Sequence, residues 1–299
     1  MRKIYMLLFI FIGTLIHFHM LGSEQKESIT ELKGPYLGQP LPGKKAVIFS
    51  PGIVSVNGKY EFAVSFAPDG NEVIYTSADP KTNAYRIMHS GVKIGKWSEP
   101  RVLNLSQGAR KEEMEAFFTP DGSHIYFAPY NEGMDVTIWA VKREGKGRSE
   151  PWELDSSLNE GPVFFPTCSD KGTLYYSNIK ERKIYRAFFE KGKYSRIEPA
   201  GLKFGMHGFI APDESFILVD ARQENGEGKM DIYVAFRKAD GSWSEPVNLG
   251  KEVNTAFSES CPSLSHDGKF IFFSRYNEPG DLSNIYWISS DILKDLKPK

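Results

Sequence analysis

Acidic side chains and one histidine stand at two fixed distances before a repeated turn, which makes them candidates for catalysis or ligand binding. Each turn carries an aspartate, and the side chains eight or six residues upstream of it include Glu61, Glu113, Glu115, His207 and Glu259. Residues two apart on a strand face the same side of a sheet, so we expect these groups to converge. Paired carboxylates can act as acid and base on a glycosidic bond. A histidine beside a glutamate can act as a general base.

The same carboxylates have two other interpretations. Their oxygens could hold a hard cation such as Ca²⁺, although the pattern requires no cofactor. Repeated glutamates could also be inherited by duplication and simply face solvent, without a joint task. The sequence therefore gives candidates for catalysis and does not assign catalytic roles.

The turns that place these residues recur along the chain. The clearest copy is Pro120-Asp-Gly122, which ends one apolar run and begins another. The turn aspartates stand 43 to 54 residues apart, at Asp69, Asp121, Asp170, Asp213 and Asp267. The first four repeats each hold four strand signals, which in the first repeat are residues 61–67, 72–77, 85–89 and 97–105. A period of this length without a helical pattern predicts a propeller or a similar array.

The chain ends determine the predicted number of blades. The fifth repeat lacks its fourth strand, whereas residues 46–50 form an extra strand before the first repeat. We therefore predict an all-β fold, a five-bladed β-propeller of four-stranded antiparallel blades, in which the N-terminal strand completes the last blade and closes the ring. The predicted domains are a signal peptide at 1–22, an extended N-terminal arm at 23–45 and a single propeller domain at 46–299.

The Pro-Asp-Gly-x-x-Ile-Tyr-Phe repeats resemble the WD40-like, TolB-type β-propeller repeat family over residues 46–290. The resemblance implies a binding scaffold of the bacterial periplasm, a non-catalytic domain beside a peptidase, or a polysaccharide-active enzyme. A peptidase of that kind would need an α/β-hydrolase domain, and the sequence contains no Gly-x-Ser-x-Gly nucleophile motif.

The strand order of such a propeller brings the starts of the first strands and the loops after the second strands to one end of the central channel, here called the mouth. The predicted ligand-binding residues of the mouth are Glu61, Glu113, Glu115, Tyr130, Glu160, His207, Arg222, Glu259, Arg275 and Tyr276. Of the six histidines, His207 is expected there and the others elsewhere. The sequence therefore does not predict a zinc or manganese site built from several histidines.

Composition and charge limit the classes of partner that the protein could bind. The 299-residue chain has 37 basic and 38 acidic side chains, so it offers no electrostatic footprint for nucleic acid. A basic start followed by an apolar segment predicts a signal peptide, and hence a periplasmic or secreted protein without a later membrane span. The two cysteines, Cys168 and Cys261, fall in separate repeats and are expected to be buried free thiols. We expect a monomer.

The main functional prediction is binding of a ligand at the mouth, which could be a small molecule, a glycan or a protein partner. The alternative is a carbohydrate-active hydrolase that uses two of the mouth glutamates, with His207 and Arg275 positioning the substrate. A third prediction is a structural partner module in an envelope complex.

Overall fold

The computed structural model describes residues 32–298, except 80, 83, 134, 146, 156 and 277–281. The predicted signal peptide at 1–22 and the start of the predicted arm, residues 23–31, lie outside the described residues. Among the described residues, no helix is both long and apolar enough to cross a membrane.

Runs rich in β-branched and aromatic residues form strands throughout the described chain. A 3₁₀ turn at Pro35–Gly38 precedes the strands, and a short helix, α1 (Ile292–Leu296), follows them. The first strands are β1 (Val47–Ile48), β2 (Tyr60–Phe66), β3 (Glu72–Asp79), β4 (Ala84–Lys93), β5 (Lys96–Trp97) and β6 (Arg101–Val102). Strands β2, β3 and β4 form an antiparallel meander, and β5 and β6 pair with β4.

Similar antiparallel groups follow along the chain. The next group comprises β7 (Glu112–Phe118), β8 (His124–Tyr130), β9 (Trp139–Glu144), β10 (Gly147–Arg148) and β11 (Trp152–Glu153). Two four-stranded sheets come next, β12 (Val163–Cys168), β13 (Leu174–Asn178), β14 (Lys183–Glu190) and β15 (Lys193–Pro199), then β16 (Met206–Ile210), β17 (Phe216–Ala221), β18 (Asp231–Phe236) and β19 (Val247–Asn248). The last strands are β20 (Glu259–Leu264), β21 (Phe270–Tyr276) and β22 (Ser283–Ser289).

Tight turns join the first two strands of each group. The amides of Gly70, Gly122, Gly172, Glu214 and Gly268 donate to the carbonyl three residues earlier. In the third group the carbonyl is that of Ser169, so Lys171 occupies the place of the turn aspartate and Asp170 that of the proline. Counting back from Asp170 is therefore wrong by one residue in this group.

The N-terminal strand pairs with the last strand. In the antiparallel pair of β1 and β22, Val47 lies opposite Trp287 and Ile48 opposite Tyr286. Nearby, the ring of Phe49 packs edge-on at 5.1 Å between centroids against Trp287 and against Phe272. Within the predicted arm, Tyr36 and Leu37 are buried in the same cluster. Residues near both ends of the described chain therefore share one sheet and one core cluster.

The first strands of the groups contact one another in a cycle. Strand β2 contacts β7, β7 contacts β12, β12 contacts β16, β16 contacts β20, and β20 contacts β2. Buried apolar side chains fill the spaces between neighbouring sheets. The two cysteines, Cys168 and Cys261, are buried and free, as predicted. These strands therefore surround one central space and direct their N-terminal ends to the same region.

Candidate functional site

A β-bulge interrupts each of the strands that surround the central space. The pairing register shifts at this point, and one residue adopts a left-handed backbone conformation. These residues are Ala63 (φ 52°), Glu115 (φ 55°), Phe165 (φ 55°), His207 (φ 44°) and Cys261 (φ 51°). A bulge inserts one extra residue, so strict alternation of side chains fails across it. The prediction that positions eight and six residues before the turn share one face is therefore wrong.

The glutamates at the earlier position point away from the central space and bind the loop that leads into their strand. Both oxygens of Glu113 accept backbone amides, from Leu105 at 2.9 Å and from Ser106 at 2.6 Å. Glu259 similarly accepts the amide of Thr255 at 3.0 Å and its hydroxyl at 2.6 Å. These two carboxylates therefore hold loops in place.

Glu61 has the equivalent position in the first group, but its carboxyl group is less completely hydrogen-bonded than those of Glu113 and Glu259. Its side chain is 1% exposed, and its Oε2 has no hydrogen-bond partner among the described residues. Burial raises the pKa of Glu61 to about 8, and the backbone amide of Val56 and the charge of Lys59 oppose this rise only in part. Glu61 therefore tends to carry a proton in the folded protein.

A pocket of about 590 Å³ lies between these strands at the predicted mouth. Its lining residues include Tyr60, Phe62, Tyr85, Glu112, Met114, Glu115, Tyr130, Phe164, His207, Cys261 and Tyr276. The predicted mouth residues that line it are Glu115, Tyr130, His207 and Tyr276. Those that do not are Glu61, Glu113, Glu160, Arg222, Glu259 and Arg275.

The predicted residues outside the pocket have other surroundings. Glu160 and Arg222 are exposed. Arg275 donates from Nε to Glu259 at 2.7 Å and lies 4.1 Å from the centroid of the Tyr286 ring. Because Arg275 is already paired, its guanidinium supports the loop glutamate and does not face the pocket.

Aromatic rings form one continuous wall of the pocket. Successive centroids lie 5.2 to 6.2 Å apart along Tyr276, Tyr60, Phe62, Tyr85 and Tyr130. The hydroxyls of Tyr60 and Tyr276 lie 2.5 Å apart. Burial raises the pKa of Tyr276 to about 12 and also raises those of Tyr60, Tyr85 and Tyr130. The wall therefore presents apolar faces with neutral hydroxyls.

Opposite charges meet at His207, on the bulge of β16. Its Nδ1 lies 2.7 Å from Oδ2 of the fully buried Asp220, and its Nε2 lies 3.6 Å from Oε1 of Glu115. The rings of Phe164 and Phe165 pack edge-on against the imidazole, with centroids at 5.0 and 5.1 Å. Apolar rings and charged neighbours thus fix the orientation of this side chain.

Burial and neighbouring side chains together set the protonation of Glu115, His207 and Cys261. Burial raises the pKa of Glu115 to about 7, against the opposing charge of His207. Burial alone would lower the pKa of His207, but Asp220 and Cys261 outweigh it and hold that pKa well above its usual value. Burial also raises the pKa of the Cys261 thiol. The imidazole therefore holds a proton beside two carboxyl groups.

In three groups, a side chain on the second strand supports the bulge of the next group. These side chains share one register position, and each accepts a hydrogen bond from the backbone amide of the bulge residue in the next group. Thr76 accepts the amide of Glu115 at 2.8 Å, Ser177 that of His207 at 3.0 Å, and Asp220 that of Cys261 at 3.1 Å. Ala128 has the same register position and no side-chain acceptor. The bulge amide of the next group, that of Phe165, is accepted by Oε2 of Glu115 at 2.8 Å in place of a second-strand side chain.

Sequence reasoning missed part of the pocket. Glu112 lines the pocket and accepts the backbone amide of Tyr85 at 2.5 Å. Simple alternation along the strand would place Glu112 on the other face of the sheet from Glu113 and Glu115. The tyrosines of β2 and β4 were also missed. One sequence signal for the site was available. At the second-strand position where two other groups have the hydroxyl residues Thr76 and Ser177, the fourth group has Asp220.

Neither protein-family models nor curated proteins match this sequence. Similar folds occur among solved structures. A TolB-type protein from Agrobacterium tumefaciens has a TM-score of 0.50 at 15% identity, over 78% of this chain and 78% of that one. A thermostable family-43 glycoside hydrolase has a TM-score of 0.52 at 12% identity, over 77% of this chain and 89% of that one.

TolB from Acinetobacter baumannii has a TM-score of 0.48 at 16% identity, with 77% of this chain covered. The match spans 54% of that protein, about half its length. The fold of this chain is that of a TolB-like β-propeller with four-stranded antiparallel sheets. At these identities the likeness concerns the fold alone, and function has to be argued from the pocket.

Proposed function

We propose that this protein binds a small molecule in the pocket, and that the favoured class of ligand is a glycan. The observation that supports the proposal is the row of aromatic rings from Tyr276 to Tyr130 along one wall. Ligand sites are commonly concave, of about 300–1,000 Å³, and apolar with a few polar groups. Sugar rings have apolar faces that suit aromatic side chains and hydroxyls that suit the neutral tyrosines.

A carbohydrate-active hydrolase is the second candidate. Glu112 and Glu115 both line the pocket, so a pair of carboxyl groups faces the same space. The other glutamates first predicted, Glu61, Glu113 and Glu259, are less suitable because they do not line the pocket. The similarity in fold to a family-43 glycoside hydrolase is compatible with this candidate and does not select it.

The wider setting is also part of the proposal. The cycle of contacts between first strands, and the pairing of β1 with β22, support five blades with a ring closed by the N-terminal strand. The sequence at 1–22 supports export to the periplasm or the medium. We infer that the propeller acts there as a monomer.

Calorimetric titration with a panel of neutral and acidic oligosaccharides tests binding. We expect Tyr85→Ala to raise the dissociation constant of the saccharide at least tenfold, because the substitution opens the aromatic wall. The matched control is Tyr185→Ala, a tyrosine outside the pocket that donates to Glu181, and it should leave affinity unchanged. If no saccharide binds, or if both variants weaken binding equally, the glycan proposal fails.

Product analysis separates the two candidates. Release of new reducing ends that is abolished by Glu112→Gln and by Glu115→Gln would establish the hydrolase. Binding without turnover over long incubation would establish the binding function alone.

A further inference from the structure

The bulge residues place an unusual set of donors at one point of the pocket. A carboxylate oxygen of Glu115, an imidazole nitrogen of His207 and the thiol sulfur of Cys261 all lie within 4.8 Å of one another. All three residues also line the pocket. We propose that they bind a single transition-metal ion of the zinc class, with one coordination position open to the pocket. The proposal does not depend on the identity of the organic ligand.

The donor types favour zinc over calcium. Zinc is bound by thiolate, imidazole and carboxylate, whereas calcium takes six to eight oxygen ligands. Donors around a tetrahedral zinc ion stand about 3.3–3.8 Å apart, as follows from metal–ligand distances of about 2.0–2.3 Å. Oε1 of Glu115 and Nε2 of His207, 3.6 Å apart, already stand at such a separation, and all three donors lie within 4.8 Å of one another.

The surroundings supply the outer partners that such a site needs. Metal-bound histidines usually direct their second ring nitrogen to a carboxylate, which fixes the orientation of the ring. Here Nδ1 of His207 lies 2.7 Å from Oδ2 of Asp220, an ion-pair distance without the alignment of a hydrogen bond, and Nε2 lies 3.6 Å from Oε1 of Glu115. The same Asp220 oxygen accepts the backbone amide of Cys261 at 3.1 Å, so one buried carboxylate holds two of the ligand residues.

The third ligand residue is positioned as well. Oε2 of Glu115 accepts the amide of Phe165, which leaves Oε1 directed at the histidine. Asp220 is fully buried, and its Oδ1 has no hydrogen-bond partner among the described residues. A cation at this point would offset the cost of burying the carboxylates of Glu115 and Asp220, since buried charges are stable only when they are paired.

Three protein ligands and an open position are typical of catalytic zinc sites, whereas structural sites are closed by four protein ligands. The open position would hold water or a polar atom of the pocket ligand. The sequence argument against a metal site concerned several histidines, whereas these three residues contribute three different donor types.

Metal binding can be measured on the full-length chain after treatment with a chelator and dialysis against Zn²⁺ or Co²⁺. We expect one Zn²⁺ per chain by elemental analysis. We also expect a thiolate-to-metal charge-transfer band with Co²⁺. Cys261→Ser should abolish that band and weaken zinc binding at least tenfold. Cys168→Ser, at the other buried thiol, should retain both.

Asp220→Asn tests the outer carboxylate and should weaken zinc binding about 10- to 100-fold. Thermal unfolding of each variant without metal shows whether it is folded before its affinity is compared. Should Cys261→Ser not fold, His207→Gln takes its place, with the same expected loss of zinc. The proposal is overturned if the wild-type chain retains no zinc, if it prefers Ca²⁺, or if folded Cys261→Ser binds zinc as tightly as the wild type.

The metal proposal and the glycan proposal fail separately. Zinc stoichiometry is measured without any saccharide. Saccharide titrations are repeated on the chelator-treated and the zinc-loaded protein. Zinc binding without saccharide binding leaves the metal site standing, and the reverse result removes only the metal site.

Discussion

At the scale of single residues, the loop glutamates show how a carboxylate can be conspicuous in sequence and still be structural. Glu113 is 5% exposed and accepts two backbone amides. Replacing it with alanine leaves both buried amides without an acceptor. Each unpaired buried group costs about 1–3 kcal/mol, so we expect Glu113→Ala to lower the free energy of unfolding by about 2–6 kcal/mol. Urea denaturation measures this loss.

The matched control is Glu160→Ala, because Glu160 is an exposed glutamate. Its change in unfolding free energy should stay within about 0.5 kcal/mol. Ligand affinity of Glu113→Ala, measured where the variant is folded, should equal that of the wild type. Equal stability of the two variants would contradict the loop role of Glu113.

Glu61 gives a prediction for the dependence of stability on pH. Its folded pKa of about 8 exceeds the ordinary glutamate value of 4.5. Between these values the folded state holds a proton that the unfolded state has lost. Stability therefore falls as pH rises through this window, with a slope of up to about 1.4 kcal/mol per pH unit from this group. Below pH 4.5 the contribution is fully present, and above pH 8 it is lost.

Glu61→Gln removes this titration while it keeps the shape of the side chain. The difference in unfolding free energy between wild type and variant should therefore change with pH between about pH 5 and 8, in favour of the variant at high pH. Both proteins retain Lys59, whose charge lowers the pKa of Glu61, and Tyr75, whose pKa is raised by the charge of Glu61. Parallel pH curves would show that Glu61 titrates normally.

At the scale of strands, the sequence predicted the four-stranded antiparallel groups because turn residues and alternating apolar runs are local signals. It could not predict the bulges, since the left-handed residues include Ala63, Glu115 and Cys261, which are not typical of that conformation. The bulge changes which side chains meet, so Glu115 and His207 reach the pocket and Glu61 and Glu113 do not. Site prediction failed where strand pairing, a non-local property, overrides simple alternation.

The N-terminal strand offers a test of packing at this scale. Phe49 is fully buried against Phe272 and Trp287, next to the β1–β22 pair. Removing a buried phenylalanine ring costs about 3–5 kcal/mol. We therefore expect Phe49→Ala to lower the unfolding free energy by that amount. Phe189→Ala is the control, because Phe189 is 55% exposed, and it should cost less than about 1 kcal/mol. Similar losses in the two variants would contradict the packing role of the N-terminal segment.

At the scale of the whole molecule, one sheet edge joins segments that are far apart in sequence. Strand β22 has β1 on one side, and its Ser283 pairs in parallel with Tyr60 of β2. Residue types alone predicted the pairing of the N-terminal strand with the last strand only through a missing strand at one end and a spare strand at the other. The aromatic cluster with Tyr36 and Leu37 lay outside that reasoning, because Pro- and Gly-rich composition suggests an exposed arm.

If the N-terminal strand closes a propeller ring, its loss affects the entire fold. Deleting residues 24–55 from the full chain removes β1 together with Tyr36, Leu37, Phe49 and Val54, all buried in one cluster. Strand β22 then exposes unpaired backbone groups, and open strand edges associate with one another. We expect this deletion to abolish cooperative thermal unfolding and to produce oligomers in size-exclusion chromatography.

The control deletes residues 24–31, which leaves every described contact of the cluster intact, and it should unfold cooperatively as a monomer. A longer deletion that melts like the wild type would refute closure by the N-terminal strand. Loss of cooperativity in both proteins would place the stabilising contacts upstream of residue 32. The specific result expected from ring closure is that removal of 24 further residues, 32–55, converts a cooperative monomer into an associating chain, because each blade depends on its neighbours for burial.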